Sequence, residues 1–514
     1  MMRARLYIAC IFFVAGFGSV FSSCSNSEDM ASITDTSAKL DDEPTINSVD
    51  TAADTIQPSI TSSSAKLDDE PTIDSVDTTA STTQPIPTAG VIPDSRSPKL
   101  FIQCENPNSS DFTPASFLFF DAVEHYSYFA PTPDRTESGY IRIRGNSTAG
   151  APKKPYNIKF NEKINFFGMG KAKKWVLLSN PFDPTLIRNK LIFDLASKLS
   201  FVYSPKSYFL DVWLNDEYVG NYQFAEKVEF NKNRIPYDVD KGDFLFEYVE
   251  SRKKKDVVYV ISPLNSFRFA MAEPQSPTAT QLKSLQTEFH NIETAISTKD
   301  IREYMKFVDL RSMIDHYWIE EFVNDPDMHT GSRYFSIHNG ILRAGPVWDY
   351  DLSMGNTKSS SRSSTTGIHA RAIWWKDLFQ DSVFEKIACE RFLQIEPLFE
   401  NLVSDNDLGK NKLDSILEFF GESFQRNYSD SGWAYCGSPA GAGNSRRALT
   451  CPYSPIPQPT YDENILFLKN WIIQRHAYLK KRARKKLTEL NYIKIDLESI
   501  LASQDSIFAQ KQTN

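Results

Sequence analysis

The chain has 514 residues, 41% of them hydrophobic, enough to fill one large unit or two to three domains. A net charge of −8 argues against general nucleic-acid binding, which needs a basic surface to neutralise phosphates. Six cysteines without a CxxC pair, and no histidine pair at ligand spacing, argue against a structural zinc site.

Residues 1–24 read as a secretory signal. Arg3 and Arg5 precede a mostly apolar run, Leu6 to Val20, too short for a comfortable membrane span. The run ends at Phe21-Ser-Ser-Cys24, small residues before a cysteine, as at a bacterial lipoprotein cleavage site. Cys24 is therefore the expected lipidation site, with an ordinary signal peptide as the alternative. The acidic Ser27-Glu-Asp29 resembles an export signal of surface lipoproteins. Acyl chains on Cys24 would hold the chain at a membrane of the cell envelope, the outer membrane being expected and its outer surface included.

Residues 25–98 read as a disordered linker. They hold no Phe, Trp or Tyr, and fourteen acidic residues face three basic ones. Such a stretch cannot bury enough apolar surface to offset chain entropy. Ser37-Ala-Lys-Leu-Asp-Asp-Glu-Pro-Thr-Ile46 recurs at Ser64–Ile73, and two copies without aromatics fit a duplicated spacer better than a solenoid. The acidity of the chain lies in this linker, so the remainder is close to neutral.

Folded sequence is expected over 99–490, followed by a tail, 491–514, frayed past Ser503. Strands are expected at Lys99–Gln103, Ser116–Asp121, Gly139–Gly145, Tyr156–Phe160 and Trp175–Leu178, from period-two alternation or short apolar runs. Pro184–Leu199 has helical spacing. Phe209–Leu214 and Tyr218–Phe224 flank Asn215-Asp216, a hairpin turn, and Phe244–Tyr248 is a further strand. After Pro277 helices are expected at 281–296, 301–307 and 311–323. A strand pair, Arg333–Ile337 and Ile341–Arg343, turns at Asn339-Gly340, and helices follow at 379–399, 413–424 and 461–490. The fold class is α+β, with a β-rich first part and a mainly helical second part.

Cys436 and Cys451 bracket a loop rich in small residues. A disulfide there would close about 15 residues, worth ~3 kcal/mol in the chain-entropy model. The aromatic residues Trp374, Trp375, Trp433, Tyr435 and Trp471 fit core packing better than a sugar- or peptide-binding platform.

The segment Gly345-Pro-Val-Trp-Asp-Tyr-Asp351 carries the clearest chemistry. Carboxylates at i and i+2 of an extended segment can face one side, and magnesium needs only one or two carboxylates beside phosphate oxygens. Asp349 and Asp351 are the candidate metal ligands, a pair of turn aspartates being the bland alternative. Asp327, in a short loop after a helix, is placed to accept or orient a hydroxyl proton. Asn324 and Asp325 are its rivals, and helix termination is the alternative role.

On the nucleotide side, Arg144-Gly-Asn-Ser-Thr-Ala-Gly150 forms either a phosphate-facing turn or a plain β-turn. Lys159 sits on a strand from which a lysine reaches phosphates, with Lys154 as its rival. Arg188 can pair with a carboxylate or a phosphate. Glu226 can hold the lysine or lie near an adenine edge. No GxxxxGK[ST], GxGxxG, HRD or DFG motif is present.

Five stretches in order carry a family resemblance: Ile143–Thr148 with Lys153–Phe160; Lys174–Asn180 with Leu186–Lys190; Trp213–Tyr222 with Glu226; Phe322–Asp327; and Gly345–Gly355. Over about 100–480 the chain resembles the CotH kinase-like family, named for a spore coat protein kinase. The resemblance implies an atypical two-lobe kinase-like fold that uses ATP and Mg²⁺. It implies transfer of the γ-phosphoryl group to Ser or Thr of exported or surface proteins, and makes Asp349 the better metal ligand. The segment Thr330–Arg333 departs from the family pattern, which leaves a second-metal ligand open. A non-catalytic surface binding or adhesion lipoprotein that retains the fold, or one acting on a surface glycan, is the alternative.

Overall fold

The computed structural model describes residues 96–120, 135–251, 257–329, 331–357, 362–366, 372–429 and 458–513, all within one compact unit. The signal, most of the linker, Cys24, Cys436 and Cys451 lie outside the described residues.

Seven strands close a barrel: β1 (Lys99–Cys104), β2 (Thr113–Phe120), β3 (Arg135–Ile143), β4 (Tyr156–Asn165), β5 (Lys171–Leu178), β6 (Ser207–Leu214) and β7 (Glu217–Glu226). Their order is β1-β2-β3-β4-β5-β7-β6. Neighbours pair antiparallel until β1 meets β6 in parallel, Leu100 opposite Val212, and closes the ring. Alternation fixes which residues face in. On β4, Tyr156, Ile158 and Phe160 are buried while Lys159 is exposed. The β6–β7 hairpin turns at Asn215 and Asp216, both at positive φ (50° and 67°), as a tight two-residue turn requires.

Between β5 and β6 lies α1 (Arg188–Ala196), shorter than its apolar spacing suggests. The Asp183 carboxylate accepts from the Arg188 backbone N–H (2.9 Å), so the helix starts there and not at Pro184. A second, five-stranded sheet has the order β12-β11-β8-β10-β9. Its strands are β8 (Phe244–Tyr248), β9 (Tyr259–Ile261), β10 (Arg268–Glu273), β11 (Arg333–His338) and β12 (Ile341–Ala344). It joins segments on both sides of three helices, α2 (Ala279–Ser297), α3 (Ile301–Tyr304) and α4 (Leu310–Val323). Then follow α5 (Trp375–Leu378), α6 (Ser382–Glu400), α7 (Lys412–Ser429), α8 (Tyr461–Glu489) and α9 (Leu497–Thr513).

One continuous core runs from the outer side of the barrel (Val176, Phe209, Ala225) through α1 and the sheet to α4, α6 and α8. Trp374, Trp375 and Trp471 belong to it. Helix α4 is buried nearly all round, so each of its charges needs a partner. Asp315 has Arg391 (2.8 Å), Glu320 has Arg333 (2.9 Å), and Glu321 lies 3.7 Å from Arg475.

The frayed end expected past Ser503 is instead part of α9. Gln504 is fully buried: its Nε2 donates to the carbonyls of Met305 and Val308 (2.8 Å each), and its Oε1 accepts from Leu310 N–H (3.0 Å). The amide closes the α3–α4 junction, a role that local composition does not reveal.

Candidate active site

Three loops converge beside the barrel. The first follows β5 and runs from Asn180 to Ile187. The second leaves α4 through Asn324, a left-handed cap (φ 49°). The third is Gly345–Thr357, after β12. Glycines bracket the Gly345–Gly355 stretch for steric reasons. At Gly345 (φ 101°) a Cβ would lie 2.7 Å from Phe201, and at Gly355 (φ 78°) 2.6 Å from Trp471.

Carboxamides fix these loops to one another. Asn180 Nδ2 donates to Gln223 of β7 (3.1 Å) and to the Leu186 carbonyl (3.0 Å). Asn189 Nδ2 donates to Asn180 Oδ1 (3.0 Å), and Asn189 Oδ1 accepts from Tyr350 N–H (2.7 Å). Asn356 Nδ2 donates to the carbonyls of Phe182 (2.7 Å) and Asp351 (2.6 Å). Met354 N–H donates to the Val323 carbonyl (2.7 Å), tying the third loop to the end of α4.

The loops bring aspartates together. Asp351 is buried (7% exposed), and among the described residues its carboxylate accepts no hydrogen bond and meets no cation. Burial pushes its carboxyl well above the ordinary range, and the charges of Asp349, Asp325, Asp183 and Asp327 add to this. Asp325 is also buried and raised, first by burial and then by Asp327, although its Oδ1 accepts from Asp327 N–H (2.8 Å). Asp349 is exposed, sits at φ 71°, and accepts from Ser332 Oγ (3.0 Å). Asp327 is half-buried in a 3₁₀ turn, Pro326–His329.

Asp183, missed in the sequence reading, is fully buried and ion-paired to Arg188. Its Oδ1 also accepts from Thr185 N–H (2.9 Å), a turn signal legible in Asp183-Pro-Thr185. Arg188 Nε reaches on to the Ser353 carbonyl (3.0 Å), so the arginine clamps the first loop to the third.

The other candidate residues are spread out. Glu226 is buried at the end of β7, accepting from Tyr203 OH (3.0 Å) and Lys206 N–H (2.9 Å), with Arg234 Nε 3.5 Å away. Burial, before any other cause, raises its carboxyl. Lys159 is exposed on the outside of the barrel, opposite Lys174 in register. Lys154 Nζ donates to the Ala149 carbonyl (2.9 Å). The turn after Arg144 is a 3₁₀ turn over Thr148–Gly150, whose Gly150 and Ala151 N–H groups bond within it. Arg144 is half-buried, its guanidinium 5.4 Å from the Trp348 ring, close enough to feel the charge of Asp349.

The oxygen donors around Asp351 suit a hard divalent cation, and a buried carboxylate without a partner is the feature a cation would relieve. Among the described residues, a tight grouping of three ligand side chains within 4.8 Å occurs elsewhere, at Glu396, Glu400 and His476 of α6 and α8. There Lys480 already lies 2.6 Å from Glu396. The looser aspartates fit magnesium, which keeps waters and takes phosphate oxygens beside its few carboxylates.

No curated protein matches the chain. The family model described as CotH kinase protein matches residues 141–479, from β3 to the middle of α8 and across all three loops. This membership suggests a kinase-class activity that uses ATP and a divalent metal. The chain belongs to the CotH kinase family.

Proposed function

We propose that the protein is an atypical protein kinase of the cell envelope, held there by a lipid on Cys24. In this reading the barrel and the helical part with its sheet are two kinase-like lobes. The observation that carries the proposal is Asp351, buried without a partner among Asp349, Asp325, Asp183 and Asp327. Asp349 and Asp351 would hold Mg²⁺, which when bound neutralises phosphate oxygens of ATP. Arg188 keeps Asp183 occupied and the metal loop in place.

A Ser or Thr hydroxyl oxygen bonds to the γ-phosphorus while the bond from that phosphorus to the β–γ bridging oxygen breaks. ADP leaves, and the hydroxyl proton passes to Asp327. Asp327 fits this role better than Asp325. It is the more open of the two, whereas Asp325 is buried and favours its protonated form.

The test uses the full chain with Mg·ATP. Thermal stabilisation by Mg·ATP that Asp349→Ala abolishes is expected, as is radiolabel transfer from γ-labelled ATP that Asp327→Ala lowers about 100-fold or more. A chain that neither binds Mg·ATP nor transfers label with Mg²⁺ or Mn²⁺ refutes the kinase and leaves a surface binding module.

A further inference from the structure

Between Glu463 and Glu489 helix α8 carries no Asp or Glu, while lysines and arginines crowd its second half. These cations divide by side. Those turned toward other helices each meet a carboxylate there. Lys469 lies 2.5 Å from Asp414 of α7, Lys480 2.6 Å from Glu396 and Lys486 3.8 Å from Glu385 of α6, and Arg475 3.7 Å from Glu321 of α4. Lys481 and Arg484 are exposed, and among the described residues neither makes an ion pair or a hydrogen bond.

The helical repeat sets these two cations in a longer line. At 3.6 residues per turn, Leu466, Asn470, Ile473, Ala477, Lys481 and Arg484 follow one another along a single side of α8, and all six are exposed. The line runs for about 27 Å. Leu466 is 57% exposed and Ile473 47%, whereas Leu468, Ile472 and Leu479 on the opposite side are buried in the core. The turn after α8 repeats the combination, with Tyr492 (65%) and Ile495 (42%) exposed on either side of Lys494 in sequence.

Single exposed aliphatics and solvated cations are each ordinary on a protein surface. Their alignment, with no acidic residue among them, is what selects a partner. Such a partner offers negative charge at its surface and an apolar layer just beneath. A bilayer of anionic phospholipid has both, the phosphates for Lys481 and Arg484 and the upper acyl chains for Leu466 and Ile473. The long stems of the two cations can lie along apolar surface while their heads stay among phosphates. A nucleic-acid backbone would satisfy the cations but leave both aliphatics facing phosphate and water.

We propose that the exposed line of α8 is a docking surface for an anionic phospholipid bilayer. The proposal does not depend on the kinase reading. The opposite side of α8 is engaged elsewhere: Trp471 Nε1 donates to the Arg362 carbonyl (2.8 Å) and Arg475 Nε to the Glu321 carbonyl (3.0 Å). Docking through the line would therefore leave the contacts of α8 with α4 and with the Gly345–Thr357 loop intact.

The chain from Ser25 onward keeps the whole compact unit and carries neither the apolar run nor Cys24, so it isolates this surface from any acyl anchor. It is sedimented with vesicles of phosphatidylcholine alone and of phosphatidylcholine with 30% phosphatidylglycerol, and thermal melts verify folding. The anionic vesicles are expected to bind tenfold or more tightly than the neutral ones, and 0.5 M salt should abolish the difference. Lys481→Gln with Arg484→Gln should lower anionic binding tenfold or more. Leu466→Ser with Ile473→Ser should lower it threefold or more. Lys283→Gln with Lys299→Gln, exposed on and just after α2, should leave it within twofold.

Equal binding to both vesicle types overturns the proposal, as does anionic binding that both α8 double variants retain within twofold. Binding of a DNA duplex without binding of vesicles overturns it too, and makes the line a polyanion site.

Discussion

Inside the barrel Phe166 has ring neighbours on several sides: Phe119 at 4.5 Å, Phe160 at 5.1 Å, Phe224 at 5.3 Å and Trp175 at 5.5 Å. Beside the barrel, the aspartate loops bury Asp351 with repulsive neighbours and no counter-charge among the described residues. The first region is complete as it stands, because every buried surface finds a matching one. The second is complete only with something added, because an unpaired buried carboxylate costs free energy until a cation or proton offsets it. Stability and function are thus separated in space, and substitution should move them in opposite directions.

The largest expected effect is in the barrel. Phe166→Ala should cost about 3–5 kcal/mol in urea denaturation, with no dependence on Mg²⁺, since it leaves a cavity among aromatic rings. A Mg²⁺-dependent loss would break the separation of the two regions.

Next comes the frame of the loops. Gly355→Ala places a methyl 2.6 Å from Trp471 Cδ1 at φ 78° and should cost about 1–3 kcal/mol by thermal melt. A neutral outcome would mean that the Gly345–Thr357 loop is not held by its glycine.

Asp351→Asn is expected to do the opposite. In metal-free buffer it should raise stability by about 1–2 kcal/mol, since the cost of burying an unpaired carboxyl disappears, and it should weaken Mg·ATP binding. A destabilised, still-binding variant would sink the role assigned to Asp351.

The last test is a pH dependence away from both regions. Lys153 is buried between the barrel and α7, its ammonium donating to the Asn221 carbonyl and to Asn427 Oδ1 (2.8 Å). Burial lowers it to about 7, and Asp211 partly opposes the shift. The unfolded chain then binds this proton more tightly than the folded one. The Lys153 contribution to stability should therefore rise as pH increases from about 7 toward the ordinary lysine range, and should be lost on going back down. Melts across that window, with Lys153→Met as reference, would show a steeper rise in the native chain; equal slopes would refute the assignment.

Much of the strand pattern was legible because alternation is local. Tyr156-Asn-Ile-Lys-Phe160 shows which side faces in, and Asn215-Asp216 announces its turn. The strands β9 and β10 were not legible, since Arg268-Phe-Ala-Met-Ala-Glu273 is short and apolar on both sides. Barrel closure was not either: the β1–β6 pairing joins residues more than a hundred positions apart and leaves no local mark. In the site, Asp327, Asp349 and Asp351 stood out through spacing and family pattern. Asp183 did not, since its part in the cluster depends on a loop that only the folded chain brings near Ser353.

The links from Gln223 through Asn180 and Asn189 to Tyr350, with Asn356 bracing Asp351, are made by carboxamides. Carboxamides neither gain nor lose protons over any physiological pH. Acidic surroundings would therefore change how many aspartates carry charge, yet leave the scaffold that aims them undisturbed. Such a site is tuned in electrostatic strength alone, like an electrode of fixed shape at variable potential, and recovers charge as pH rises again without having to rebuild its geometry.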